Sequence, residues 1–175
     1  MELAEIKIRH FKELITGILL GNGTHWSLMR VNVVDYVLDG FQFTNKKYIV
    51  DNSKLKEDTL LYKILTIKNS PNDSLAWIDL NVLDEDKLLY SFLKKNNILV
   101  AICLHREDVL YVGKIKKVNS KSLILDSYDT ELNSSGLMKI EFNRVRYVQM
   151  HTDYLDSLSL LLDKRNLFHF SVFSF

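Results

Sequence analysis

Apolar and polar positions alternate along Trp26 to Val34 (WSLMRVNVV) and again along Tyr36 to Phe43, both rich in β-branched and aromatic residues. That pattern predicts two strands. Leu14 to Leu20 is an apolar run closed by Gly21-Asn22-Gly23, a hairpin signal. Asn45-Lys46 reads as a turn before a short strand, Lys47 to Val50. Ahead of these, Leu3, Ile6, Phe11 and Leu14 recur at roughly helical spacing, so residues 3–14 are expected as an amphipathic helix, although Ile6-Lys7-Ile8 also suits a strand. Leu60, Leu61, Ile64 and Leu65 mark a second helix over Asp58 to Ile67, with Asp58 as its cap.

The pattern then restarts. Lys68 to Ser74 holds the only proline and is the expected boundary between a module at 1–70 and a second at 71–175. Leu75 to Leu83 is ambiguous in pattern, with Trp77 and Ile78 favouring an extended segment and Trp77 expected as a contact between the modules. Asp84-Glu85-Asp86 precedes LLYSFLKKNN, with acids in the first turn and lysines in the last, as a helix dipole prefers. Strands are expected over Ile98 to Leu104, Val109 to Val118, Ser122 to Tyr128, Leu137 to Phe142 and Val145 to Met150, then a helix over Asp153 to Leu162. The tail alternates Phe168, Phe170 and Val172 with polar residues and ends Phe173-Ser174-Phe175. Such an apolar end needs a cover. It can pack between the modules or add as a strand to another chain, so Phe168, Phe170, Phe173 and Phe175 are candidate interaction residues.

Tyr111 to Tyr128 (YVGKIKKVNSKSLILDSY) has a weaker counterpart in Trp26 to Phe41. Val31-Asn32 aligns with Val118-Asn119, and Tyr36 to Phe41 with Leu123 to Tyr128, both at a shift of 87 (118 − 31 and 123 − 36). With a helix before and after each copy, the order of elements points to an internal duplication. Gly113, Ile115, Val118, Asn119 and Leu123-Ile124-Leu125 resemble the first motif of Sm-like proteins: a glycine in a bent strand, alternating apolar residues, Asn at a turn, then another apolar strand. Phe142 to Val148 (FNRVRYV) is similar to the second motif. The resemblance covers roughly 60 residues of the second copy, and Trp26 stands at the glycine's aligned place in the first. It implies a mainly β fold with flanking helices, built as two tandem Sm/SH3-like small β-barrels. It also implies that the turns around Asn119 and Asn143-Arg144 approach RNA bases.

Composition adds little to this. The 175 residues are 47% hydrophobic and 26% charged, with 23 basic against 22 acidic side chains, so no global field points to nucleic acid or to a membrane. No run of about 18 apolar residues occurs. The single Cys103 and the charge-rich N-terminus fit a soluble cytoplasmic protein. Between Leu88 and Val148, however, ten basic residues face six acids. Strand alternation puts Lys114 beside Lys116 and Arg144 beside Arg146, near Tyr111, Tyr128 and Tyr147, and such a face can hold a single strand by phosphate contact and stacking. Lysines on edge strands also serve simply to block aggregation. No histidine pair has metal-ligand spacing, and no glycine-rich phosphate loop or nucleophile elbow is present. The expectation is a non-enzymatic binding protein without a cofactor. It would be a protein-interaction or scaffold module that takes another protein or its own copy. The alternative is single-stranded RNA or DNA binding through Lys114, Lys116, Asn119, Arg144 and Arg146.

Overall fold

The structure, a computed structural model, describes residues 2–68 and 77–171, with side chains as far as residue 164. It is mainly β, with three helices. The strands are β1 (Glu2–Ile8), β2 (Leu14–Asn22), β3 (Trp26–Val34), β4 (Val37–Asn45), β5 (Ile49–Lys54), β6 (Leu99–Cys103), β7 (Leu110–Val118), β8 (Ser122–Tyr128), β9 (Ser134–Glu141) and β10 (Tyr147–Met150). The helices are α1 (Leu60–Lys68), α2 (Asp86–Lys95) and α3 (Asp153–Ser171). All ten strands join one open antiparallel sheet in the order β5-β1-β2-β3-β4-β10-β6-β7-β8-β9. Among the described residues, β4 with β10 is the strand pairing that joins the first five strands to the last five.

The two sets pair at a constant shift. Ala4 faces Gly17 and Val100 faces Gly113; Gly17 faces Val31 and Gly113 faces Ser127; Leu28 faces Phe43 and Ile124 faces Lys139. Ile6 faces Asn52, as Ile102 faces Val148. Every one of these partners is displaced by 96 (100 − 4, 113 − 17, 127 − 31, 148 − 52). The bulge between Leu19 and Gly21 recurs between Ile115 and Lys117. The 3-10 turn Lys46–Tyr48 recurs as Phe142–Arg144. Gly40 and Gly136 both carry positive φ (62° and 91°). The sequence match at 87 is therefore out by one strand, because it lays β3 on β7. Any hairpin with alternating apolar residues fits any other, and a period of two does not say which hairpin is which. The counterpart of Gly113 is Gly17, not Trp26. A Cβ at either glycine would lie 2.2 Å or 2.4 Å from a carbonyl oxygen of the next strand, that of Arg30 or Asp126. Both strands need glycine for that close approach.

Residues 3–14 are not a helix but β1 and the turn after it. β1 lies between β5 and β2, with Ala4, Ile6 and Ile8 buried on one face and, on the other, Leu3 packed under α1 while Glu5 and Lys7 stay partly exposed. The helical spacing came from grouping Leu3 and Ile6 with Phe11 and Leu14, which lie in the turn after β1 and at the start of β2. Leu80–Leu83 form a 3-10 turn rather than an extended segment. Thr59, not Asp58, caps α1: the Tyr62 N–H donates to Thr59 Oγ1 at 3.2 Å. The boundary expected at Lys68 to Ser74 lies, after Lys68, outside the described residues.

The largest core sits between the two sets of strands. Leu89, Tyr90 and Leu93 on one face of α2 cover Trp26, Leu28 and Phe43 from the first set and Val100, Ile102, Leu125 and Val148 from the second. Trp26 and Tyr90 meet edge to face at 5.9 Å, and Tyr90 stacks on Phe142 at 4.7 Å. Trp77 bridges the halves, touching Phe41 of β4 and stacking on Phe92 of α2. The tail residues Phe168 and Phe170 fall inside α3, so their alternation is not that of a strand; Phe173 and Phe175 lie outside the described residues. No helix among the described residues is long and apolar enough to cross a membrane.

Candidate functional site: a basic rim at the junction

The reversals of both strand sets meet at one end of the sheet. The turn between β2 and β3 is tied to α2 and its approach. Thr24 donates through its N–H (2.7 Å) and hydroxyl (3.0 Å) to Asp84 Oδ1, and the His25 N–H donates to the Leu83 carbonyl at 3.0 Å. The Thr24 N–H bond, then its hydroxyl, hold the Asp84 carboxyl below the usual aspartate range. Trp26 Nε1 donates to Asp86 Oδ1 at 3.1 Å, and His25 Nδ1 lies 3.6 Å from the same oxygen. The turn between β7 and β8 is locked by the Asn119 N–H donating to the Ser122 carbonyl at 2.8 Å. It is joined to the second 3-10 turn by the Phe142 N–H donating to the Lys121 carbonyl at 3.0 Å. The two 3-10 turns also engage each other. The Tyr48 hydroxyl donates to the Asn143 carbonyl, and Asn45 Nδ2 donates to the Val145 carbonyl at 3.2 Å.

These bonds position two adjoining cavities that share Asp86 and Asn143. One, of about 330 Å³, is lined by Ser120, Lys121, Ser122, Lys139, Glu141 and Phe142 as well. The other, of about 370 Å³, adds Thr24, His25, Asn45 and Lys47. Lys46, Lys47, Lys121, Lys139 and Arg144 are all exposed along this rim or next to it in the chain. Two acids, Asp86 and Glu141, share the lining. The arrangement offers charged and amide donors to an anion, on a surface open to solvent. Among the described residues no group of three or more His, Cys, Asp or Glu could hold a metal.

The structure separates the basic residues expected to share one face. Arg144 is exposed in the second 3-10 turn beside Asn143, and Asn119 lies in the turn before Lys121, so both belong to the rim. Arg146 does not. It is 9% exposed, donates from Nη1 to the Arg9 carbonyl at 2.7 Å, and lies over the Tyr48 ring at 4.6 Å and the Phe11 ring at 5.4 Å. Its planar cation packs the two strand sets together, a use that the strand pattern does not disclose. Tyr147 is likewise buried and makes no stacking platform. Lys116 is paired with Asp126 at 3.3 Å, and Lys114 lines a different cavity, with Trp77, Asn97 and His151. Lys46, Lys47, Lys121 and Lys139 were missed, being ordinary turn and edge lysines until the fold gathers them. Asn119 and Asn143, picked out by the resemblance, were the nearest signal.

No protein-family model matches the chain, and neither a curated protein nor a solved structure matches it significantly.

Proposed function

We propose that the chain is a non-enzymatic binding protein made of two tandem Sm/SH3-like barrels, which holds a single-stranded nucleic acid along its basic rim. The observation that carries this reading is the convergence of Lys46, Lys47, Lys121, Lys139 and Arg144 on two adjoining open cavities, while the whole chain has a formal charge of only +1. Local concentration of cations on a near-neutral protein favours an extended anion over a general polyanion surface. The repeated register at 96 supports an internal duplication and gives the rim its two-fold supply of turns. Fluorescence anisotropy with a labelled single-stranded oligonucleotide tests the reading. Binding weakens with salt, by a logarithmic slope of about 0.7 per neutralised phosphate. Lys47→Glu/Lys121→Glu/Lys139→Glu abolishes it, and Lys114→Glu/Lys116→Glu leaves it nearly intact. Equal losses in the two variants would remove the rim from the argument.

A protein partner is the second reading, favoured by the two sheet ends. β5 and β9 are each paired on one side only, and Val50 and Leu137 on them are 53% and 71% exposed. An added strand could pair there.

A further inference from the structure

A separate cavity, of about 290 Å³, lies where β2, β3, β4 and β10 meet the turns after β1 and β6, and shares no residue with the rim. Phe11, Ile15 and Tyr147 give it apolar walls. Its lining holds an unmet acceptor and two carboxylates. Asn32 Oδ1 is buried without a hydrogen-bond partner. Gln149 Nε2 donates to Gln42 Oε1 at 3.1 Å and Gln42 Nε2 to Thr44 Oγ1 at 3.0 Å. That chain uses one N–H of each amide, and the Gln149 side-chain oxygen is not one of its links. Glu13 and Glu107 complete the lining, which contains no lysine or arginine. Glu107 Oε2 accepts from the Lys12 N–H at 2.8 Å, which fixes the carboxylate at the mouth.

A buried acceptor without a donor is costly, and two carboxylates above apolar walls repel anions. The group that meets both demands has several N–H donors, a positive charge and a short apolar stem. We infer that this cavity binds an alkylammonium group, the end of a lysine side chain on a partner peptide or of a free polyamine. The ammonium donates to Asn32 Oδ1 and the two carboxylates while its methylenes lie on Phe11 and Tyr147.

The test uses the full chain and three probes: a tetralysine peptide, its fully Nε-acetylated form, and spermidine. Side-chain amide NMR signals of Asn32 and Gln149 report occupancy at the site. Tetralysine or spermidine shifts both signals. Glu13→Gln/Glu107→Gln weakens the binding by about tenfold, since each partly exposed carboxylate contributes modestly. Glu57→Gln/Asp58→Asn, which removes two exposed acids elsewhere, leaves it unchanged. The acetylated peptide does not bind. Tighter binding of tetralysine than of spermidine identifies a peptide as the source, and the reverse order a free amine. Shifts confined to other residues, equal binding of the acetylated peptide, or no shift at millimolar probe would each overturn the assignment. Loss of oligonucleotide binding at the rim would not affect it.

Discussion

The two sets of five strands share a backbone register and differ in what surrounds it. Ile6, Leu19 and Met29 in the first set occupy the positions of Ile102, Ile115 and Leu125 in the second, so the interior of the unit is apolar in both. The edges diverge. Where the sets join, Phe43 faces Val148 and Phe41 faces Met150. At the open ends of the sheet the positions 96 residues away are Lys139 and Asn52, and Leu137 and Lys54 (43 + 96, 148 − 96, 41 + 96, 150 − 96). One register thus carries an apolar seam inside the molecule and, outside it, a mixed border: Lys139 beside the exposed Leu137 at one end, Asn52 and Lys54 at the other. Glycine and bulge positions fix the path of the chain, while edge residues decide whether an edge is closed by another strand or left in water.

The largest effect is expected where the sets depend on each other. Trp26 is wholly buried against Tyr90, and its counterpart in the second set is Ser122 (26 + 96). Trp26→Ser should cost about 3–5 kcal/mol in urea unfolding, the range for emptying a large aromatic site. Next come the paired glycines. Gly17→Ala and Gly113→Ala each drive a Cβ into a backbone carbonyl and should each cost roughly 2–3 kcal/mol. A clear inequality between them would show that the shared register is not equally tight in both sets. Lys139→Phe/Asn52→Val rebuilds the seam at the open ends. It should turn the protein into concentration-dependent head-to-tail oligomers in size-exclusion chromatography with light scattering. A variant that stays at wild-type mass at high concentration would break the view that polar edges guard the ends.

The smallest effect concerns Cys103, whose counterpart is the partly exposed Lys7 (103 − 96). Burial pushes the Cys103 thiol up from its ordinary 9.0 to about 11, against a hydrogen bond with Tyr147 that lowers it. The unfolded chain therefore ionises first. Stability is unaffected below about pH 9 and declines as pH rises through 11, by at most about 3 kcal/mol. Cys103→Ser should flatten that decline in thermal melts across pH 8 to 11. Native Cys103 should also resist alkylation until the protein unfolds.

Much of this was legible in the sequence, for physical reasons. β3 and β8 were bounded correctly because turn residues flank short runs rich in β-branched and apolar residues, and α2 was found because its acids and lysines sit at the proper ends. β1 was seen only in part: Ile6-Lys7-Ile8 showed the alternation of a strand, but Leu3, Ile6, Phe11 and Leu14, which the fold divides among β1, the turn after it and β2, also mimic a helical stripe. The repeat of register was sought in the apolar pattern, which recurs in every hairpin. The informative pairs were Gly17 with Gly113 and Gly40 with Gly136, both 96 apart. Of the site, the two turns were visible through Asn119, Asn143 and Arg144. The lysines around them were not, because they come from turns and strands in both halves of the chain.

The position of β10 has a consequence for synthesis. Met150 is made about 105 residues after the end of β4 at Asn45 (150 − 45), yet it is β10 that covers the β4 edge. At roughly 5–20 residues per second, that edge, with Phe41 and Phe43 on it, stands bare for about 5–20 s on every ribosome. The nascent chain must pass through this interval with its stickiest strand unprotected. Slowing translation after codon 45 should therefore raise aggregation more than slowing it after codon 150.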